Sequence, residues 1–314
     1  MKEKNVIPEK RSRSSYKFFR VSAPANAIIS TFLSLLSLVF ILPMLLCVVV
    51  SFTSKESIEQ FGYLFIPKGW SIYAYQVVIS LGDQIWSSYL ITIITTLVTT
   101  VLALLVMSMY AYVLAHDTFP LKRIYTFYIF FTMLFSGGMV ASYIVNVRYL
   151  HLYDNFWILV LPSLVSAYNI IILRTFIQTT IPKELFEAAR IDGAGDFYIY
   201  TRIVLPLFKA GLATIGLFTV VSKWNDWFTA MLYIENAKLI PLQTMLIRIQ
   251  STIQFLTDNA TLASTPDGAR LKATIPTDSA RMAIMLLATF PLLCSYPFFQ
   301  RYFVEGMTIG SVKG

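Results

Sequence analysis

Five long stretches of the chain are mainly apolar and contain no charged residue. A helix needs about 20 apolar residues to cross the hydrocarbon core of a bilayer, and each stretch is close to that length or longer. The stretches without Asp, Glu, Lys or Arg are 21–54, 84–116, 124–147, 155–173 and 282–300. This pattern predicts five membrane-spanning helices.

A sixth span is predicted at 203–224 on weaker evidence. Only 13 uncharged residues separate Lys209 from Lys223, which is too few for a span by themselves. A helix from Ile203 to Trp224 reaches spanning length if the Lys209 side chain extends back to the membrane surface. A buried or re-entrant helix is the alternative at this stage.

The predicted fold class is therefore an all-α membrane protein with six transmembrane helices. A basic N-terminal segment, 1–24, precedes a membrane domain at 25–301, and a tail at 302–314 follows it. The predicted spans are 27–51, 86–115, 123–147, 155–177, 203–224 and 281–301. The longest loops are 181–206, between spans four and five, and 228–278, between spans five and six.

The basic residues predict the orientation of the spans. Lys and Arg collect in the cytoplasmic loops of membrane proteins. Seven of the 25 Lys and Arg residues lie in the first twenty positions, and with six spans most of the others fall on the same side. Both termini and loop 181–206 are therefore expected in the cytoplasm, and loop 228–278 outside. The net charge of +8 then needs no nucleic-acid partner.

Composition argues against an ordinary soluble enzyme. The chain is 56% apolar and 13% charged, whereas a globular domain carries about a quarter charged residues. Its two His and two Cys residues do not stand at ligand spacing, so neither a metal site nor a catalytic residue is predicted. A P-loop is also missing. Any energy for work must come from a partner or from an ion gradient.

A short helix is predicted in the loop after span four. Pro182 suits the first helical position, Glu184 complements the helix dipole in the first turn, and Gly193 can end the helix in a left-handed cap. The helix therefore covers about 182–192 and is held between two spans.

One face of this helix is small and acidic. Leu185, Ala188, Ala189 and Asp192 recur at helical spacing, and Glu187 lies at the border of that face. Helices that lie on membrane surfaces are usually rich in Lys and Arg. The small and acidic residues favour docking into a protein cleft over contact with anionic lipid.

The same loop resembles the EAA loop of binding-protein-dependent ABC importer permeases. The matching residues are Glu187-Ala188-Ala189, then Gly193 after three residues, Ile203 after nine more, and Leu205-Pro206 after one more. As in that family, the pattern follows one span and precedes another.

Three further stretches resemble the carbohydrate branch of the family, and in particular its maltose-type second permease subunit. They are 66–71 with Tyr75 following, 224–227, and the C-terminal 306–314. The resemblance extends from about residue 25 to the end of the chain.

The resemblance implies a transport subunit without an ATPase site of its own. Such a chain forms half of a pore for a sugar or oligosaccharide in the bacterial plasma membrane. A second, different permease supplies the other half, an extracellular binding protein delivers the substrate, and two cytoplasmic ATPase subunits bind ATP and Mg²⁺. An ion-coupled carrier, or a membrane anchor that only recruits an ATPase, are the alternatives. The near absence of ionisable groups from the span centres weighs against the carrier.

The resemblance also implies roles for named residues. Glu187 would pair with the ATPase cleft, Ala188 and Ala189 would allow close approach, and Gly193 would permit the turn after the helix. Re-entry into span five would depend on Ile203, Leu205 and Pro206. A further contact with the ATPases is expected from the tail at Gly310, Lys313 and Gly314.

The substrate pathway is predicted from residues near the end of span five. Trp224, Asn225 and Trp227 are the candidates, although Trp also occurs at membrane interfaces by default. Loop 228–278 is either a docking surface for the binding protein or an insertion with a local structural role.

Overall fold

The computed structural model describes residues 22–80, 82–116, 119–259, 265–266 and 277–310. Throughout these ranges the chain is built from helices, and the only extended pairing is a single bridge between Thr53 and Trp70. The predicted all-α fold class is confirmed.

Fourteen α-helices are named here in chain order. The first seven are α1 (Ala23–Ser51), α2 (Lys55–Phe61), α3 (Tyr73–Ser80), α4 (Gly82–Ala115), α5 (Lys122–Leu134), α6 (Gly138–Ile144) and α7 (Ala167–Thr180). The others are α8 (Lys183–Ile191), α9 (Asp196–Ile199), α10 (Leu205–Leu207), α11 (Lys209–Trp224), α12 (Phe228–Tyr233), α13 (Leu242–Asp258) and α14 (Asp278–Gly310).

Three helices are long and apolar enough to cross a membrane without a break. They are α1, α4 and the first part of α14, and they coincide with predicted spans one, two and six. Three further segments pass the same test only as bent pairs of helices, so the described residues contain up to six spans.

Predicted span three is not one continuous helix. Helix α5 meets the helical segment 138–149 at 113°, with a break at 135–137. The break contains Ser136 and Gly137, which have low helix propensity, and the hydroxyl of Ser136 accepts a hydrogen bond from the N–H of Gly138. The segment predicted as a span over 123–147 is therefore a bent pair of helices in the structure.

Predicted span four is also broken. Two short 3₁₀ segments, Phe156–Leu159 and Leu161–Ser163, precede α7, and the two parts meet at 48°. The Ser166 hydroxyl caps α7 by accepting a hydrogen bond from the N–H of Asn169. Ser at this position starts a new helix rather than continuing the preceding one.

Predicted span five bends by 80° at Phe208. Residues 196–207 form one helical segment and α11 forms the other. The Phe208 ring is buried directly over Gly211, where an added Cβ would lie 2.5 Å from the ring. The bend is thus accommodated by a glycine that lets an aromatic ring approach the helix backbone.

Helix α4 lies at the centre of the fold and packs against α7 and α11. Two buried clusters lie at its two ends. The α13-side cluster joins Ile85 and Ile91 to residues of α3, α12, α13 and α14. The α8-side cluster joins Ala103, Met107 and Ala111 to residues of α7, α8 and α9. Helix α4 therefore connects the loop before span five to the segment after it.

Candidate functional site

Helix α8 is the predicted loop helix, with a start one residue later than expected. Pro182 is the N-cap rather than the first helical residue, and Glu184 stands in the first turn. The preceding Ile181 is buried. The helix therefore begins at a point where the chain is fixed to the protein core.

The end of α8 has the predicted left-handed cap. Gly193 has φ +80°. Its N–H donates to the carbonyl of Arg190 at 3.0 Å, and the N–H of Ala194 donates to the carbonyl of Ala189 at 2.9 Å. These two hydrogen bonds form a Schellman motif, which satisfies carbonyls that the helix end would otherwise leave free.

Helix α8 has an outward and an inward face. Glu184, Glu187 and Ala188 are exposed, whereas Ala189 is 8% exposed and packs into the α8-side cluster with Phe186. The expectation that both alanines present one outward surface is therefore wrong for Ala189. Its small side chain lets α8 approach its own chain, and Ala188 alone remains on the free surface.

Ile191 is an outward residue that the sequence analysis missed. It is 87% exposed at the end of α8, next to the acidic residues of the same face. An isoleucine so exposed is common enough alone, but here it extends the small surface of Ala188. The signal available in the sequence was its helical spacing from Glu184 and Ala188.

The second part of the EAA-like pattern lies just before the bend in span five. Ile203 and Leu205 are half-buried and pack against the α8-side cluster, while Pro206 is exposed. Pro206 lies within the first turn of α10, where a proline is tolerated because the N–H is not needed. These residues thus direct the chain from the loop towards α11.

A polar pocket of about 470 Å³ lies between the break in span four and the end of α11. Most of its lining side chains carry hydroxyl, amide or charged groups. Those residues are Ser163, Ser166, Asn169, Thr219, Ser222, Lys223, Asn225, Asp226 and Thr229. The remaining lining residues are Val165 and the aromatic residues Phe218, Trp227 and Phe228.

Two of the three predicted pathway residues line this pocket. Asn225 and Trp227 line the pocket. Trp224 is 5% exposed, and its indole N–H donates to the carbonyl of Ala288 at 2.9 Å. Trp224 therefore joins α11 to α14 and does not line this pocket.

An ion pair in the pocket wall was also missed. The Lys223 ammonium lies 2.7 Å from the Asp226 carboxylate, and the N–H of Thr229 donates to the other carboxylate oxygen. Burial raises the pKa of Asp226, but the Lys223 charge and these hydrogen bonds outweigh it and hold that pKa below its ordinary value. Opposite charges three residues apart at a helix end were the available signal.

Some predicted site residues cannot be placed. Gly310 is the last residue of α14, so the helix continues well into the predicted tail. Lys313 and Gly314, like most of the basic segment 1–24, lie outside the described residues. In the described part of the chain, three or more His, Cys, Asp or Glu side chains do not cluster as metal ligands.

The sequence matches the profile of the family described as "Binding-protein-dependent transport system inner membrane component" over residues 111–309. The match contains α8, its cap and the whole lining of the polar pocket. The chain belongs to this family. It is a multi-pass bacterial membrane protein and a permease subunit of an ABC importer, and such a subunit is not itself an ATPase.

Similar proteins cover nearly the whole permease. The polygalacturonan/rhamnogalacturonan transport system permease protein YtcP of Bacillus subtilis (strain 168) is 36% identical over 92% of this chain and 98% of its own length. Protein LplC of the same organism is 36% identical over 90% of this chain and 92% of its own. These relatives extend the match to the region before residue 111.

A solved structure has the same fold as the permease. It is titled a bacterial ABC transporter involved in the import of the acidic polysaccharide alginate, and the matched chain is 29% identical with a TM-score of 0.73. The match covers 94% of this chain and 99% of the other. The overall arrangement of helices described above is therefore a fold that an importer uses.

Proposed function

We propose that this permease forms one half of a pore for a sugar or oligosaccharide and that a separate ATPase drives it through α8. The observation that carries this proposal is the outward face of α8. That face combines Glu187, Ala188 and Ile191 on a short helix whose two ends are fixed by Pro182 and Gly193.

The face has the chemistry of a protein-docking surface. Ala188 allows a close approach, Ile191 provides apolar area that a partner can remove from water, and Glu184 and Glu187 can accept hydrogen bonds from a basic cleft. The partner with this chemistry is the nucleotide-hydrolysing subunit of the importer. That subunit, and not this chain, binds ATP and Mg²⁺ in the proposal.

The proposed complex contains one copy of this chain, a second and different permease, two ATPase subunits and an extracellular binding protein. The family description, which names binding-protein-dependent transport, supports the last of these. Both chain termini and α8 face the cytoplasm, and α13 faces outside. The excess of Lys and Arg on the α8 side supports this orientation.

A carbohydrate substrate is supported by the relatives and by the pocket. Two of the similar proteins above have names that refer to glycan transport: polygalacturonan/rhamnogalacturonan for YtcP and alginate for the solved structure. The pocket offers hydroxyl and amide groups that can bond to sugar hydroxyls, together with Trp227, whose face can stack on a sugar ring. We propose that Asn225 and Trp227 contact the sugar as it passes.

Reconstitution in liposomes tests the proposal. The chain is purified with its partner permease, ATPase and binding protein, and oligosaccharide uptake and ATP hydrolysis are measured together. We expect uptake that requires ATP and hydrolysis that rises when the loaded binding protein is added. Uptake that follows an ion gradient without the ATPase would contradict the proposal, as would hydrolysis with no uptake of any glycan.

A further inference from the structure

A row of aromatic rings connects α8 to helix α4, which is distant in sequence. The Phe186 ring of α8 lies 4.8 Å from the imidazole of His116, in an edge-on arrangement. His116 directly follows the last residue of α4 and contacts the Tyr112 ring at 4.7 Å, again edge-on. Such geometry is favourable for aromatic pairs. The helix thus rests on α4 as well as on its own flanking segments.

The row continues into the segment that follows α8. The Tyr112 ring lies 5.4 Å from Tyr200, and the Tyr200 hydroxyl lies 2.7 Å from the hydroxyl of Ser108 on α4. Tyr112 also donates a hydrogen bond to the carbonyl of Asp196. Four rings from three parts of the chain therefore pack as one unit.

Arg190 adds polar contacts to the same unit. Its Nη2 lies 3.2 Å from Nδ1 of His116 and 3.4 Å from Oδ1 of Asp196. A guanidinium group can only donate, so Nδ1 of His116 is the acceptor and the neutral ring carries its proton on Nε2. His116 thus contacts α8 through both a ring and a hydrogen bond.

We propose that His116 is a positioning residue that makes α8 and the end of α4 move together. The chain around α8 leads directly only to spans four and five, through Ile181 and Gly193. The contacts of His116 connect α8 to span two as well, although span two is not adjacent to α8 in the sequence. Because α4 packs against both α7 and α11, a displacement of α8 reaches the walls of the polar pocket through this helix.

The inference rests on the proposed function, since it assumes that a partner moves α8. It adds that the movement passes from α8 to α4 and that His116 makes the connection. Without the imidazole, α8 would still be held by the backbone, but it could tilt relative to α4 because Phe186 and Arg190 would lose their shared contact. A nucleotide-driven movement of the partner would then tilt α8 without displacing α4, and the pocket would not open.

Three substitutions separate the contributions of His116. His116→Ala removes both the ring contact and the hydrogen bond, His116→Phe keeps the ring alone, and His116→Asn keeps an acceptor alone. His151→Asn is the matched control, because His151 is the only other histidine and lies at the other end of the fold. We expect coupling to be lost in His116→Ala, largely kept in His116→Phe, and unchanged in His151→Asn.

The test has two readouts in the assembled importer. The first is the distance distribution between spin labels at Lys183→Cys, the exposed first residue of α8, and Val113→Cys on α4, with Cys47 and Cys294 replaced by alanine. We expect a narrow distribution for the parent and His116→Phe and a broad one for His116→Ala. The second is the number of ATP molecules hydrolysed per sugar transported, which should rise in His116→Ala.

Each outcome decides something. A narrow distribution in His116→Ala, or a broad one with unchanged stoichiometry, would overturn the inference. If His116→Ala does not assemble, His116→Asn takes its place, and a distribution as narrow as that of the parent overturns the requirement for the ring. If the parent shows no stimulated hydrolysis, the proposed function fails, while the distances still report whether His116 holds α8 to α4.

Discussion

The Lys223 ammonium lies 2.7 Å from the Asp226 carboxylate, and the two side chains are 4% and 17% exposed. Both residues line the polar pocket at the end of α11. A buried ion pair contributes little compared with a well-packed apolar pair, but removing one partner leaves an uncompensated buried charge. The pocket wall therefore contains two charged groups, but each is neutralised by the other and neither is presented to the substrate as an unpaired charge.

Asp226→Asn should destabilise the permease because it leaves Lys223 buried without its counter-charge. We expect the free energy of unfolding to fall by about 3–5 kcal/mol. The measurement is thermal inactivation of the purified complex in detergent, followed by size-exclusion chromatography. The double variant Lys223→Met with Asp226→Asn is the control and should recover most of the lost stability. A single variant as stable as the parent would mean that the pair is not buried in the complex.

Gly193→Val should uncouple the importer because valine cannot easily adopt φ +80°. A left-handed conformation costs an L-residue about 1–2 kcal/mol, and more for a β-branched one. The end of α8 would unwind and its outward face would tilt. We expect loss of uptake and of substrate-stimulated hydrolysis, with membrane insertion unchanged.

The matched control for this change is Gly195→Val. Gly195 lies two residues away with φ −73°, and an added Cβ there meets no atom within 4 Å. This variant should transport normally. Gly193→Asn should fall between the two, since asparagine tolerates the left-handed region better than valine. Equal activity of the two valine variants would mean that the left-handed backbone conformation of Gly193 is not needed for coupling.

Ile191→Ser should weaken binding of the ATPase subunit. Burying an isoleucine side chain stabilises by about 1.5–3 kcal/mol, which corresponds to roughly a ten- to hundredfold change in Kd. The amount of ATPase that co-purifies with the permease at increasing dilution measures the effect. Ile66→Ser is the control, because Ile66 is equally exposed but lies far from α8. Equal co-purification of both variants would place the docking surface elsewhere.

Gly211→Ala should disturb the bend in span five. The new Cβ would lie 2.5 Å from the Phe208 ring and 3.2 Å from Phe176, and the buried ring has little room to move. Overpacking of this kind costs about 1–3 kcal/mol. Thermal stability of the complex measures it, and adding Phe208→Leu should restore part of the loss. Gly137→Ala, whose nearest new contact is 3.7 Å, should leave stability unchanged.

The orientation of the spans predicts which residues can be labelled from each side. With Cys47 and Cys294 replaced by alanine, Asp258→Cys at the end of α13 should react with a membrane-impermeant maleimide added to intact cells. Lys183→Cys at the start of α8 should react only after the membrane is opened. If both positions react only after the membrane is opened, span five does not cross the membrane.

Much of the fold could be predicted because spanning length and charge-free sequence follow directly from the thickness of a bilayer. Spans one, two and six were found in this way. The breaks at 135–137 and at Phe208 were not, because apolar composition does not report the direction of a helix axis. Sequence pattern also could not assign Ala189 to the inward face, since Ala188 and Ala189 satisfy the same helical spacing.

The polar pocket shows a similar limit. Asn225 and Trp227 were recognisable from a short motif, but Asn169 and Ser166 come from another span and join the pocket only through the tertiary fold. The role of His116 could not be predicted from the sequence for the same reason. Its partners on α8, Phe186 and Arg190, lie 70 and 74 positions away along the chain, and no local pattern identifies them.

The break between α5 and α6 has a consequence for how the protein is made. Residues 135–138 are exposed on the surface of this chain, and peptide groups outside a helix are costly to leave against lipid tails. In a chain inserted without its partner permease, the peptide groups of 135–138 would have to be hydrated or covered by another protein. We therefore expect an orphan copy to be a substrate for membrane quality-control proteases, and its lifetime in the cell to depend on how soon the second half of the pore is synthesised.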